Sequence, residues 1–466
     1  MSQVMSNREK ELANSDILKL LASFAIPAII SNLVSSLYNI ADQIFIGQYE
    51  GILGNAATNV AFPIVTILTG VSLMIGVGSA SKFNLEMGKK NPDLAKNYIG
   101  NGIIYMFIAG FSLMIITQVF LEPLLLLFGA TEQVLPYAMT YTRITSLGFP
   151  FLVLIIAGSQ YIRSDGSPKY AMATTLTGAI LNTILNPLLI FTFDMGIAGG
   201  AWATVIGQAV SAIMILYYFT DFKMIKLHRD DFKLRLEIFT TTAKLGSAAA
   251  INQVAIALVQ TVSNNTLAYY GALSVYGSDI PLAVVGVGSK INMLYFGFLI
   301  GIAQGIQPII GYNYGAENYK RVKDTLFTAL KVGVGLGTIA FICFQLFPVA
   351  IISVFGKGDQ LYYEFGTLYL RIYLLFTMVN GIQMITSNYF TSVGKANKGI
   401  FLSLTRQVIF LIPLIISLPI KFGVKGVMYA APIADFFAIS LAIIFLIIEV
   451  RNLDLLSSQT ELVFEN

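Results

Sequence analysis

Charge is what this sequence has least of. Only 12% of its 466 residues are charged, while 56% are hydrophobic; a soluble domain carries about 25% charged residues. Cysteine is nearly absent. Cys343 stands alone in an apolar run, which excludes a disulfide framework and leaves a small hydrophobe. The one histidine, His228, lies in a basic connecting segment and so is expected at a surface, not as a proton relay or metal ligand. There is no metal-ligand cluster, no nucleophile–base constellation and no G-x-x-x-x-G-K-[ST] loop, so neither enzymatic chemistry nor energy from ATP bound by this chain is expected. The sixteen residues before the first apolar run, MSQVMSNREKELANSD, carry no small-residue cleavage site, so a cleavable targeting peptide is not expected.

Long apolar runs fill the space left by charge. The mean hydropathy is +0.74. Stretches such as IIYMFIAGFSLMIITQVFLEPLLLLF (103–128) and GVMYAAPIADFFAISLAIIFLII (426–448) are long enough to cross a hydrocarbon layer of about 30 Å as helices. Twelve spans are predicted, near 17–47, 54–85, 98–122, 134–158, 170–193, 199–221, 237–270, 282–314, 325–350, 361–390, 400–420 and 426–448. The fold class is therefore an all-α polytopic membrane protein, with the lipid bilayer as its immediate partner.

Connecting segments alternate in charge. One side of the membrane receives Arg8, Lys10, Lys89, Lys90, Lys96, Arg163, Lys169, the basic loop 220–235, Lys320, Arg321, Lys323, Lys395, Lys398 and Arg451; the other receives Lys357, Lys421 and Lys425. Under the positive-inside rule both termini are cytoplasmic and the location is the cell membrane. This distribution accounts for the net charge of +4 without nucleic acid.

The two halves of the chain echo each other at a displacement of about 227 residues. LLFGATEQVLPYAMTYTRI (126–144) matches SVFGKGDQLYYEFGTLYLRI (353–372), YIRSDGSPK (161–169) matches YFTSVGKANK (389–398), and GIAGGAWATVIGQ (196–208) matches GVKGVMYAAPIAD (423–435). Six spans separate equivalents, an even number, so the repeat is parallel and related by a pseudo-two-fold along the membrane normal. The expected organisation is a cytoplasmic segment 1–16, a six-helix bundle 17–221, a cytoplasmic linker 222–236, a second six-helix bundle 237–450 and a tail 451–466.

Within the first span, Lys19 and Asp42 are the only charged residues between Asp16 and Glu50. A carboxylate at depth costs at least a few kcal/mol and usually lines an ion route; its bland alternative is an inter-helical hydrogen bond. Asn182 and Asn186 lie four apart on one helix face, and as a bare pattern they serve helix–helix bonding equally well. Asp435, on the last span, is the second acidic candidate, with Arg406 as its possible structural partner. Pro27, Pro63, Pro187, Pro308 and Pro413 are among the prolines inside spans, and Pro27 is the foremost hinge candidate because a bend there would move the half of the helix carrying Asp42. Arg163, in R-S-D-G-S-P, reads as a structural clamp on a turn with Gly166. Gly311 and Gly315 of GYNYGA read as close-packing positions at a tight helix exit. Met74, Phe151, Tyr161, Gln253, Gln260, Tyr295, Met384 and Tyr389 fall on central spans and suit greasy cations; core packing explains each of them as well.

The run GIAQGIQPIIGYNYGAENYKRVK (301–323) resembles the eighth-helix run of the multidrug and toxic compound extrusion (MATE) transporters. PAIISNLVSSLYNIADQIFIG (27–47), the turn from Arg163 to Pro168, LNTILNPLLIF (181–191) and TRQVIFLIPL (405–414) extend the likeness over almost the whole chain, toward the bacterial and archaeal multidrug-export branch. The resemblance implies a monomeric antiporter exporting organic, often cationic, amphiphilic compounds by alternating access. The driving force would be inward Na⁺ or H⁺, with no other cofactor. It further implies a cation site at Asp42 and Asn182, with Asn186 where many relatives carry aspartate; any Na⁺ would bind there, and the chemistry of an oxygen-rich cage adds Asn39 as a further amide. Residues 245–270 and 365–390 hold no acid, so coupling through a carboxylate pair in the second half is not expected. Two alternatives are a flippase for a lipid-linked oligosaccharide or related amphiphile, which would need a more basic cavity, and a non-transporting scaffold or receptor.

Overall fold

The computed structural model describes residues 7–277, 279–355 and 359–465. Lys357, one of the three basic residues assigned to the sparsely charged side, lies outside them, as do residues 1–6 of the N-terminal segment. Among the described residues, ten helices are long and apolar enough to cross a membrane, and two bent helix pairs bring the total to twelve. In chain order these are α1 (Ile17–Gly51), α2 (Leu53–Gly88), α3 (Pro92–Val119), α4 (Leu135–Leu147 with Phe149–Ser164), α5 (Pro168–Thr192), α6 (Gly196–Phe219), α7 (Leu236–Ala272) and α8 (Asp279–Gly315). There follow α9 (Tyr319–Leu346), α10 (Gln360–Tyr373 with Thr377–Ser392), α11 (Ala396–Phe422) and α12 (Lys425–Gln459). The all-α polytopic architecture follows from hydrocarbon as solvent, where each backbone polar group must be satisfied within its own helix.

Local chemistry sets the helix ends. Asp16 caps α1 through a bond from the Lys19 backbone N–H (2.9 Å). Asn91 and Asn318 cap α3 and α9 in the same way. Pro92 and Pro168 occupy first-turn positions, where a missing N–H costs nothing.

The repeat is written into the backbone as well as the sequence. Left-handed residues recur in pairs: Gly51 (φ 64°) with Gly277 (65°), Lys90 (59°) with Glu317 (58°), Gly166 (77°) with Gly394 (82°), and Gly196 (53°) with Gly423 (58°). The bends in α4 and α10 are 53° and 47°. Gln118 donates to the Arg143 carbonyl (2.7 Å), and Gln345 to that of Arg371 (2.9 Å). Turn geometry survives in both halves where side-chain identity has drifted.

Cross-half packing is concentrated at the end of the molecule that carries Lys89, Lys90 and Lys320, called here the basic end. The most extensive helix contact joins α8 to α1 and α2, and the next joins α7 to α2. A Cβ on Gly246 would lie 1.9 Å from the Met74 carbonyl oxygen, and one on Gly315 would lie 2.1 Å from that of Leu85. Only glycine permits backbones this close. Gln307 spans the same seam, donating to Ser81 Oγ (3.0 Å). Farther along the seam the approach is looser, and a Cβ on Gly297 would lie 3.4 Å from Leu33.

Three segments outside the predicted spans are tied into the helical body or continue it. The helix Asn7–Asn14 is tied to the body by Asn313, which donates to the Leu12 carbonyl (3.1 Å), and by Arg321, which donates to the carbonyls of Leu12 (3.0 Å) and Ser15 (2.5 Å). In the tail expected at 451–466, the last helix continues as far as Glu465. The linker around 222–236 is docked on α3: Asn101 donates to the Asp231 carbonyl (3.1 Å) and accepts from the Arg235 N–H (3.0 Å).

Candidate functional site

Asp42 sits on α1, 7% exposed, against α5. Asn186 Nδ2 donates to its Oδ1 at 2.6 Å and also to Asn182 Oδ1 at 3.1 Å. Asn182 passes the chain on to Thr204 Oγ1 (3.1 Å) on α6, and Thr204 ends it at the Gly200 carbonyl (3.1 Å). The i, i+4 spacing puts both asparagines on the face that meets α1. Directly after Asn186, Pro187 lacks an N–H, and α5 continues as a π-helical turn, Leu188–Thr192. Such turns recur at functional sites.

One polar atom of this cluster is orphaned. Asn186 Oδ1 is buried and has no hydrogen-bond partner, an arrangement that ordinarily costs about 1–3 kcal/mol. A carboxylate beside an unpartnered amide oxygen suits a monovalent cation or a proton. No group of three or more His, Cys, Asp or Glu side chains suited to a metal occurs among the described residues.

Asn39 does not join the cluster. It is exposed, and its Nδ2 bonds one turn back to the Ser35 carbonyl (2.7 Å). Thr204 takes the place expected for it, and nothing in the sequence around Thr204 marks it. Pro27 does not break α1; it lies between Ala25 and Ile29, which press against Gly305 and Gly301 of α8.

In the second half, Arg406 Nε donates to Asp435 Oδ1 at 2.5 Å, and Asn380 Nδ2 to its Oδ2 at 3.3 Å. The guanidinium lies over the Phe296 ring (5.9 Å). Asp435 is thus paired, as its structural alternative requires, and Arg406 lies within the π-helical segment Thr405–Leu411.

The clamp expected of Arg163 belongs to its neighbour. Arg163 is 6% exposed and its Nε has no partner. Asp165 instead accepts from Tyr218 Oη (2.6 Å) and from the N–H groups of Lys223 (2.6 Å) and Met224 (2.8 Å), fastening the α4–α5 turn to the linker. Burial is the main influence on its carboxyl and pushes its pKa up to about 6 against these bonds. Gly166 takes a left-handed conformation in this turn, and Gly311 packs on Asn84.

The residues expected to line a substrate cavity divide. Tyr161 and Tyr389 are wholly buried, and Tyr295 is 6% exposed. Tyr295 and Tyr389 are committed to packing, donating to the Thr377 carbonyl (2.6 Å) and Glu449 (3.1 Å). Met74, Phe151, Gln253 and Met384 are half-buried, and Gln260 is exposed. Away from the basic end, a cavity of about 390 Å³ is lined by Ile40, Gln43, Ile44, Gly47, Gln48, Asn55, Asn59 and Lys290. Its amides come from α1 and α2 and its lysine from α8. The sequence signal was an unusual density of Gln and Asn within apolar spans, near 43–59.

The MatE family profile matches residues 27–188 and 237–416, which include Asp42, Asn182, Asn186 and Arg406. The multidrug export protein MepA of Staphylococcus aureus (strain N315) is 27% identical over 436 residues, covering 90% of this chain and 91% of that protein. MepA of Staphylococcus haemolyticus (strain JCSC1435) is 26% identical over 448 residues, 94% of this chain and 95% of that one. Among solved structures, a ligand complex of the MATE multidrug transporter DinF-BH superposes with a TM-score of 0.88 at 34% identity, over 97% of this chain and 99% of that chain. An outward-facing MATE family transporter superposes at 0.89 with 22% identity, covering 97% of this chain and 99% of that chain, a likeness of fold. The chain belongs to the MatE family.

Proposed function

We infer that this protein is a secondary active multidrug exporter. It moves organic, often cationic, compounds outward in exchange for inward Na⁺ or H⁺, and Asp42 is the coupling carboxylate. The observation that carries this reading is the buried Asp42–Asn186 pair with its unpartnered amide oxygen. A cation or proton entering there would satisfy both groups at once. The basic end is cytoplasmic, as the loop charges favour, so both termini are cytoplasmic and the amide-lined cavity opens outward. The working units are the bundles 17–221 and 237–450, which rock about the seam between α1–α2 and α7–α8, and the protein acts as a monomer.

Chemically, Asp42 binds the ion from outside, while Asn186 and Asn182 hold the carboxylate and contribute amide oxygen. Neutralising Asp42 changes the balance of hydrogen bonds between α1 and α5, and so the packing of α1 on α8 around Pro27. The test is substrate efflux from proteoliposomes with ΔpH and ΔNa⁺ imposed separately, for wild type and Asp42→Asn. Transport driven by one gradient and lost in the variant names the ion. Gradient-driven transport retained in Asp42→Asn overturns the assignment.

A further inference from the structure

The basic end carries a second polar site, apart from the Asp42 cluster. A cavity of about 160 Å³ is lined by Lys244, Gly394, Lys395, Ala396, Asn397 and Lys398, between the start of α7 and the turn from α10 into α11. Two of these lysines are anchored on Glu449 of α12, which is completely buried. Lys395 Nζ bonds Glu449 Oε1, and Lys398 Nζ reaches Oε2 at 3.4 Å. Both ammonium groups are also held over aromatic rings, Lys395 by Tyr314 (5.6 Å) and Lys398 by Phe390 (5.1 Å). Lys244 is exposed and is not among the ion-paired side chains of the described residues. Three ammonium groups against one carboxylate leave the site with a surplus of two positive charges.

The backbone adds to it. The helix that begins at Ala396 has no side-chain cap; the N–H groups of Lys398 and Gly399 bond the Lys395 carbonyl (3.1 and 3.3 Å), which leaves those of Ala396 and Asn397 at its first turn. The other half of the repeat sharpens the contrast. There the equivalent turn, around Gly166, carries Asp165 inside it, bonded to Tyr218, Lys223 and Met224. Where the first half has Asp165, Ser167 and Pro168, the second has Val393, Lys395 and Ala396. One turn is closed by its own acid. The other has no acid of its own, carries Lys395 and Lys398 where the first carries Lys169, and lines a cavity. Pseudo-symmetry does not require this, and neither does the fold.

We propose that Lys244, Lys395 and Lys398, with the N-terminus of α11, form a binding site for a phosphate group at the basic end of the second half. Glu449 is its positioning residue, turning two lysines inward and spacing them. Lysine ammonium groups and helix N-terminal N–H groups together suit a phosphate oxyanion. Phe401, 42% exposed one turn beyond Lys398, offers an apolar flank of the kind an acyl chain would cover. The same phosphate chemistry is carried by an anionic phospholipid headgroup or by phosphate free in water.

The test measures thermal midpoint and ligand affinity of the purified full-length protein in nanodiscs. One arm titrates phosphatidylglycerol into phosphatidylcholine. The other titrates inorganic phosphate at constant ionic strength over phosphatidylcholine alone. Lys244→Gln is the first variant, because it breaks no ion pair and leaves Glu449 compensated; Lys398→Gln is the second, and Lys226→Gln, on the exposed linker, is the control for diffuse charge. A midpoint raised by phosphatidylglycerol, with affinity weakened about fivefold in Lys244→Gln and unchanged in Lys226→Gln, supports the site with a lipid carrier. The same pattern with inorganic phosphate supports it with a soluble carrier. No response in either arm, or equal losses in Lys244→Gln and Lys226→Gln, overturns it.

Discussion

Asn186 Nδ2 meets Asp42 Oδ1 at 2.6 Å across 144 positions of sequence, and the other atom of the same amide, Oδ1, is buried with no partner. The pair is therefore half complete. Its donor is used and its acceptor is free, beside a carboxylate that accepts only one bond from it.

Replacing Asn186 with Leu removes both the donor and the free acceptor. A hydrogen bond to a charged group contributes about 1.5–3 kcal/mol, so gradient-driven efflux is expected to fall roughly tenfold or more at unchanged protein level. Efflux from proteoliposomes under the effective gradient checks it. A rate within twofold of wild type would remove Asn186 from the coupling site.

Gly246→Leu acts at the seam. With a Cβ 1.9 Å from the Met74 carbonyl oxygen, α7 and α2 cannot keep their present separation. The basic end is expected to open, shifting the population toward separated halves. Spin labels at positions 96 and 320, on α3 and α9, report this as a longer distance distribution; an unaltered distribution would mean that α2 shifts locally instead.

Arg406 and Asp435 are best tested as a pair. Losing one partner of a buried ion pair costs about 3–5 kcal/mol, because the other charge is left uncompensated, whereas an apolar replacement of both is often neutral. Arg406→Met is expected to lower thermal stability strongly, and Arg406→Met with Asp435→Leu to restore most of it. Transport by the double variant separates the roles: activity near wild type marks the pair as structural, and lost activity in a stable protein marks it as part of the cycle.

Asp165 makes stability depend on pH. Its folded pKa, near 6, stands above the ordinary carboxylate value of 3.8. Between those values the folded state binds more protons than the unfolded one, so this residue's contribution is greatest below about pH 4 and declines as pH rises through 6. The thermal midpoint of wild type, measured relative to that of Asp165→Asn, should therefore fall between pH 4 and 7, since only the wild type carries this slope. Parallel curves would show that Asp165 does not titrate in this range.

The legible part of the site was the part written in local composition. Asp42 announced itself because a carboxylate is conspicuous in an apolar helix, and Asn182 with Asn186 because four-residue spacing fixes a shared face. Asn39, three residues before Asp42, was expected only as a further amide, and its side chain bonds back to the Ser35 carbonyl. Thr204 was invisible because a threonine in a membrane helix normally bonds its own backbone, as Thr204 also does at Gly200. Arg163 and Asp165 are neighbours in one turn, and only the docking of the linker selected Asp165 as its clamp.

By itself the sequence determined the solvent and the plan: a membrane protein of about twelve helices, in two parallel repeats, with family motifs along nearly all of it. These follow from apolar length, loop charge and recurrence, which are properties of segments and need no neighbour. Tertiary structure alone decided which end is packed shut, that Tyr161, Tyr295 and Tyr389 are core, that Arg406 meets Asp435, and that Lys244 comes beside the α11 turn. Each depends on how one helix is rotated and seated against another. In a bilayer that seating is set by small-residue contacts and polar pairs distant in sequence, so no single segment contains it.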